Sequence, residues 1–201
     1  MKKNTITNIK AAVVLALVCS VLIGMARFET KCQALRDNIL RLHIVANSDS
    51  DFDQQLKLKV RDAVLSETKN LFEQATDLDF AIAAARQSVP EIVSAAQQVL
   101  KDAGVQQSVS VDIGDAYFDT REYDTFTLPA GTYKAVNIRL GEAKGKNWWC
   151  VMFPALCIGA SCAALEEVSG QGAEIATNSS KYVMRFKTVE IYEQIKQYFI
   201  K

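Results

Sequence analysis

Leu40, Leu42, Ile44 and Ala46 alternate with Arg41, His43, Val45 and Asn47. This period of two predicts a half-buried strand. The run Asn47 to Asp51 is small and polar, so it stops the strand. Ser50 stands three residues before Asp53, close to a capping box, with acidic groups in the first helical turn. Phe52, Leu56, Val60, Ala63 and Val64 then recur at helical spacing, and that helix fades near Gln74. Thr76 or Asp77 caps a second helix whose apolar face includes Phe80, Ala83 and Ala84. Ser88, Pro90 and Glu91 predict a fresh helix start, and Gly104 ends it.

From Val105 the period returns to two. Val109, Val111 and Ile113 alternate with Ser108, Ser110 and Asp112. Further strands are predicted over Tyr123–Thr127, Tyr133–Leu140 and Trp148–Phe153, with a Gly- and Lys-rich turn at 141–146. Connections this short make neighbouring strands most simply antiparallel. Ala160–Val168 reads as a short helix, Ser169–Ser180 as a loop, Tyr182–Phe186 as a last short strand, and Val189–Phe199 as an amphipathic helix. Helices first and strands later predict an α+β fold: helices packed on one face of a mainly antiparallel sheet.

The first residues follow a different pattern. Lys2, Lys3 and Lys10 precede Ala11–Ala26, which is apolar except for Ser20. This is the pattern of a signal peptide or an uncleaved signal anchor. Gly24 and Ala26 supply small residues for a cleavage site, whereas Val18 before Cys19 spoils a lipoprotein signal. The domain expectation is therefore 1–26 for the signal or anchor, 27–38 for a linker or juxtamembrane helix, and 39–201 for one α+β domain.

Charge and composition narrow the chemistry. The chain has 201 residues, 49% hydrophobic, with Lys plus Arg and Asp plus Glu equal at 23 each. Such a balance gives no basic field for nucleic acid. One histidine rules out a His-rich metal site. Asp49, Asp51 and Asp53 have the spacing of a calcium-loop start, but Gln54 and Val60 stand where Gly and Glu are needed. No cofactor or metal is expected. Export permits a disulfide, and among Cys150, Cys157 and Cys162 the preferred pair is Cys150 with Cys157. The alternative is an exported cysteine hydrolase with Cys150 as nucleophile and His43 as base. Nothing in the sequence places those two together, and no G-x-S-x-G motif is present.

Binding asks less. Arg41, His43 and Asn47 share one strand face and exceed what a strand or a helix cap requires. With Ser48 and Asp49 they form the expected working surface, edged by Lys57 and Arg61. Asn47 and Asp49 also serve the turn. Arg41 and His43 have no such duty, so they are expected to face solvent and to be dispensable for folding. Trp148 and Trp149, consecutive on a strand, point to opposite faces, and one of them is a candidate interface anchor.

The segment Arg41-Leu42-His43-Ile44-Val45-Ala46-Asn47-Ser48-Asp49-Ser50, with Asp53-Gln54 and Leu56–Val64, resembles the signature of the stage II sporulation protein R family. A second block, Gly145–Cys157, is similar to the same family, with Ala155 where a second proline is expected. The resemblance implies a non-enzymatic developmental signal, exported across the forespore membrane into the intermembrane space. Its partner there would be a membrane-embedded aspartic protease that processes the sigma-E precursor; apart from the resemblance, an exposed Trp148 or Trp149 would also suit contact with the membrane surface.

Overall fold

The computed structural model describes residues 2–123, 125–155, 171–178 and 181–200. The elements in chain order are α1 (Lys2–Arg36), β1 (Leu40–Val45), α2 (Asp51–Glu73), α3 (Leu78–Gln87), α4 (Val89–Asp102), β2 (Val109–Phe118), β3 (Arg121–Glu122), β4 (Thr127–Leu128), β5 (Gly131–Leu140), β6 (Asn147–Phe153), α5 (Gln171–Thr177) and α6 (Val183–Ile200).

Four strands form one sheet in the order β2-β5-β1-β6. β2–β5 and β1–β6 are antiparallel, while β1 and β5 run parallel. The parallel pair arises because β1, an early strand, is inserted between two late ones. Short connections between later strands carry no information about such an insertion.

Alternation decides the two faces. Leu40, Leu42 and Ile44 are fully buried with Val136, Ile138 and Leu140 against α2, α3 and α4. Each such side chain contributes about 1.5–3 kcal/mol on burial. Two helix starts are capped as their sequences dictate, whereas Ser88, expected to open a capping box with Glu91, makes no side-chain cap bond at the start of α4. Ser50 Oγ accepts from Asp53 N at 3.2 Å, and Asp77 Oδ1 accepts from Phe80 N at 2.8 Å. Pro90 sits in the first turn of α4, and Gly104 follows that helix at φ +70°.

The opposite face carries a second core. Phe28, Cys32 and Leu35 from the end of α1 pack there with Phe118, Leu128, Tyr133, Ile175, Phe186 and Val189. The segment 27–38 thus continues α1 as helix to Arg36 and lays one side into the domain. Arg36 is buried, donates to Ala130 O at 3.0 Å and pairs with Glu29. Gly131 makes room for it: at φ +144°, an added Cβ would meet Arg36 Cδ at 2.6 Å.

Three local expectations are corrected. Tyr182–Phe186 leads into and forms α6 rather than a strand, because Phe186 and Val189 share a helical face on the second core. Part of the expected loop, Gln171–Thr177, is helix α5, with Ala173, Ile175 and Ala176 buried. Of the strand expected over Tyr123–Thr127, Thr127 belongs to β4, while Tyr123, Thr125 and Phe126 lie in the connection between β3 and β4. The expected helix at Ala160–Val168 lies outside the described residues.

The helix segment Asn8–Arg36, whose last turns pack into the domain, is long and apolar enough to cross a membrane, by length and composition. The apolar side chains from Val13 to Met25 are largely exposed.

Candidate functional site: the open end of the sheet

The corner between β1 and α2 is a lock within the fold. Asp53 is its hub. Its carboxylate accepts from Ser48 Oγ at 2.6 Å, Asn47 Nδ2 at 2.9 Å and Gln107 Nε2 at 3.0 Å. The Ser48 hydrogen bond pulls the Asp53 pKa below the ordinary carboxylate value; burial opposes this, and the bonds from Asn47, Gln107 and Ser50 add to the lowering. Asn47 Oδ1 accepts from Glu142 N at 2.9 Å, and Asp49 Oδ1 accepts from Lys146 N at 2.6 Å. The corner thereby grips the β5–β6 turn by its backbone.

Lys57 is buried, donating to Lys146 O at 2.8 Å and Gln54 Oε1 at 2.7 Å. Desolvation lowers its pKa. Arg61 lies over the Trp148 ring at 4.5 Å and bonds Asp62. Asn47, Ser48, Asp49, Lys57 and Arg61 are therefore occupied with partners inside the domain. Polarity in the sequence marked them as a surface; the structure spends that polarity on the turn.

Arg41 is corrected most sharply. It is fully buried, not solvent-facing. Its guanidinium lies 4.0 Å from the Phe118 ring centroid and 5.0 Å from that of Tyr133, and Nη2 donates to Tyr123 Oη at 2.6 Å. Among the described residues its Nε and Nη1 find no hydrogen-bond partner. The layer formed by α1, the β3–β4 hairpin and the C-terminal helices covers the strand face on which it stands.

That cover stops short of the carboxyl end of β1. Beyond it one cross-strand row is only partly covered: Asp112 is exposed, His43 and Trp149 are half-buried, and Asn137 is buried between them. Asp112, Asn137, His43 and Trp149 are register partners across β2, β5, β1 and β6. Asn137 Nδ2 donates to Asp112 Oδ2 at 3.1 Å, which orients the amide so that its oxygen faces His43 Nδ1 at 3.2 Å. His43 Nε2 reaches Asn147 Oδ1 at 2.9 Å. Arg139 bonds Asp112 Oδ1 at 2.5 Å. Trp149, half-buried, meets the Phe118 ring at 5.8 Å, and Arg121 covers it at 4.0 Å. The row offers fixed donors and acceptors beside an aromatic and a cation, a surface suited to recognition.

The row resembles a relay of carboxylate, amide and imidazole, but it ends on the Asn147 amide and not on a nucleophile. Cys150 pairs in register with Leu42 and lies in the helix-side core, on the sheet face opposite His43. It is disulfide-bonded, and its partner lies outside the described residues, as do both Cys157 and Cys162. The hydrolase alternative needs a free Cys150 thiolate beside His43, and the geometry denies it both. Among the described residues no group of His, Cys, Asp and Glu could hold a metal ion.

Of the residues singled out in the sequence, the structure brings His43 and Trp149 together at this open end. Trp148 faces the other core. Sequence reading missed Asp112, Arg121, Asn137, Arg139 and Asn147. Asp112 and Asn137 sit on the polar side of their strands, but only the β5–β1 register shows that they meet His43.

Comparison with known proteins agrees with this domain. A family model described as stage II sporulation protein R matches residues 36–162, from the end of α1 past β6. A protein of Bacillus subtilis (strain 168) described as stage II sporulation protein R is 40% identical over 163 residues, covering 78% of this chain and 71% of that protein. No solved structure matches the chain. On a match that spans the whole four-stranded sheet and a relative this similar over most of both chains, the protein belongs to the stage II sporulation protein R family.

Proposed function

We propose that this protein is the exported signal that switches on a membrane-embedded aspartic protease, which then processes the sigma-E precursor. It links the forespore to the mother cell and is not itself an enzyme. The observation that carries this reading is the family match over the complete sheet. Two features support it. A lysine-flanked apolar helix precedes the domain, as export or anchoring requires. The row at His43 ends on an amide and not on a nucleophile, which favours recognition over catalysis.

The receptor-facing surface in this reading is His43 and Trp149 with Arg121 and Asn147, while the buried Asn137 orients His43 from beside it. Arg41 and the β1–α2 corner hold that surface in place from beneath and beside it. The disulfide of Cys150 is assigned to Cys157, which would tie the middle of β6 to the segment that follows; a peptide map of unreduced protein giving a Cys150–Cys162 link would reassign it.

Reconstitution tests the function. The domain is co-expressed with the protease and its substrate in a host lacking the rest of the pathway. Substrate cleavage that depends on the domain is expected. Absence of cleavage, with the protease shown to be inserted, would overturn the reading.

A further inference from the structure

Helix α6 docks through one side and leaves the other bare. Phe186, Val189 and Glu193 are buried, at successive turns of one helical face. Gln197 extends that face to Thr132 Oγ1 at 3.4 Å. At 100° per residue, Met184, Ile191, Tyr192, Ile195, Tyr198 and Phe199 fall on the opposite side, interrupted only by Thr188. All six are exposed, Met184 at 81%, Tyr198 at 80% and Phe199 at 79%. Lys187 borders the stripe on one side, and Arg185 and Lys196 on the other; Lys187 and Lys196 also bridge along the helix to Glu190 and Glu193, with both lysine side chains exposed enough to meet an anionic headgroup as well. A solvated helix has no use for six large apolar side chains in one continuous band.

The occupant is argued from the neighbour. An apolar cleft of about 750 Å³ lies between α1 and α6, lined on one wall by Val21, Gly24 and Met25 and on the other by Met184, Thr188 and Tyr192. The first half of α6 therefore runs beside the last turns of the apolar α1 segment, where that segment would leave a bilayer. An element held there with an outward apolar band, a border of cations and aromatic residues at one end has the make-up of a helix lying in the membrane interface.

We infer that α6 is a second membrane contact: it lies on the lipid surface that α1 enters, with Met184, Ile191, Ile195, Tyr198 and Phe199 in the acyl boundary and Arg185, Lys187 and Lys196 at anionic headgroups. The domain is then held by two helices, which fixes which of its faces looks along the membrane. This assignment stands on the exposed band and the α1 cleft, independently of the protease.

The test uses the full chain in vesicles of phosphatidylcholine and phosphatidylglycerol that carry a photoactivatable lipid, with labelled peptides mapped by mass. Labelling is expected on the 11–26 segment and on peptides of α6. The variant Ile191→Glu/Ile195→Glu removes apolar side chains that make no core contact, so its melting serves as the folding control. Labelling of α6 is expected to fall roughly tenfold or more in that variant, while labelling of α1 persists as the internal standard. Label confined to α1 in the unaltered protein overturns the inference. So does a band shielded by protein, seen as cross-linking of α6 to a second copy in place of lipid.

Discussion

Arg41 shows how far a side chain's role depends on what covers it. Its strand position alone permits a solvated residue, yet it lies beneath Phe118 and Tyr133. Arg41→Ala is expected to destabilise the domain by about 2–4 kcal/mol, through a cavity and a lost cation–π contact. Arg41→Met should cost less, because two of its donors have no partner to lose among the described residues. Urea denaturation of both variants checks the order; Ala and Met equal to wild type would mean the site is not buried.

Asp53 makes a different statement at the same scale. Its folded-state pKa is lowered, first by the Ser48 hydroxyl. A depressed carboxylate contributes stability that is complete above the unfolded value, about 3.9, and is lost as pH falls through the folded one. Asp53→Asn is therefore expected to flatten the acid side of the stability profile below about pH 4, measured by thermal melts across that range. A profile unchanged by the substitution would place the acid sensitivity elsewhere.

Among the elements, the β5–β6 turn is specified from a distance. Gly145 N donates to Ala46 O at 2.9 Å, so the turn lies directly against the β1–α2 corner. A Cβ at Gly145 would fall 2.2 Å from the backbone oxygen of Ser48. Backbone cannot swing away as a side-chain tip can. Gly145→Ala is expected to cost about 2–3 kcal/mol, read as a lower denaturation midpoint with an unchanged slope. A neutral result would show that the corner yields. The same contact explains why the most polar stretch of the chain is not its most available surface: Asn47, Ser48 and Asp49 are consumed in holding this turn.

At the scale of the molecule, signalling is predicted to separate from folding at the row around His43. Arg121 is exposed, so Arg121→Ala should change stability by no more than about 0.5 kcal/mol. In the reconstituted pathway, Arg121→Ala and His43→Ala are each expected to reduce substrate cleavage about tenfold or more, the loss of roughly 2 kcal/mol at a hot spot. Normal cleavage by both variants would move the receptor contact away from this end of the sheet.

Local rules determined much of this protein from sequence alone. The period of two placed β1, β2, β5 and β6, and Ser50, Asp77 and Gly104 marked helix ends, because strand alternation and caps depend on residues a few positions apart. The two blocks carrying the family resemblance were legible for the same reason. Tertiary structure alone decided that β1 lies between β5 and β6, that Tyr182–Phe186 belongs to a helix, and that Arg41 is core while His43, two residues on, stays at the rim. Those outcomes depend on register and on where a covering layer stops. Both are set by residues distant in sequence, as when Asn137 and Asp112 reach His43 from two other strands.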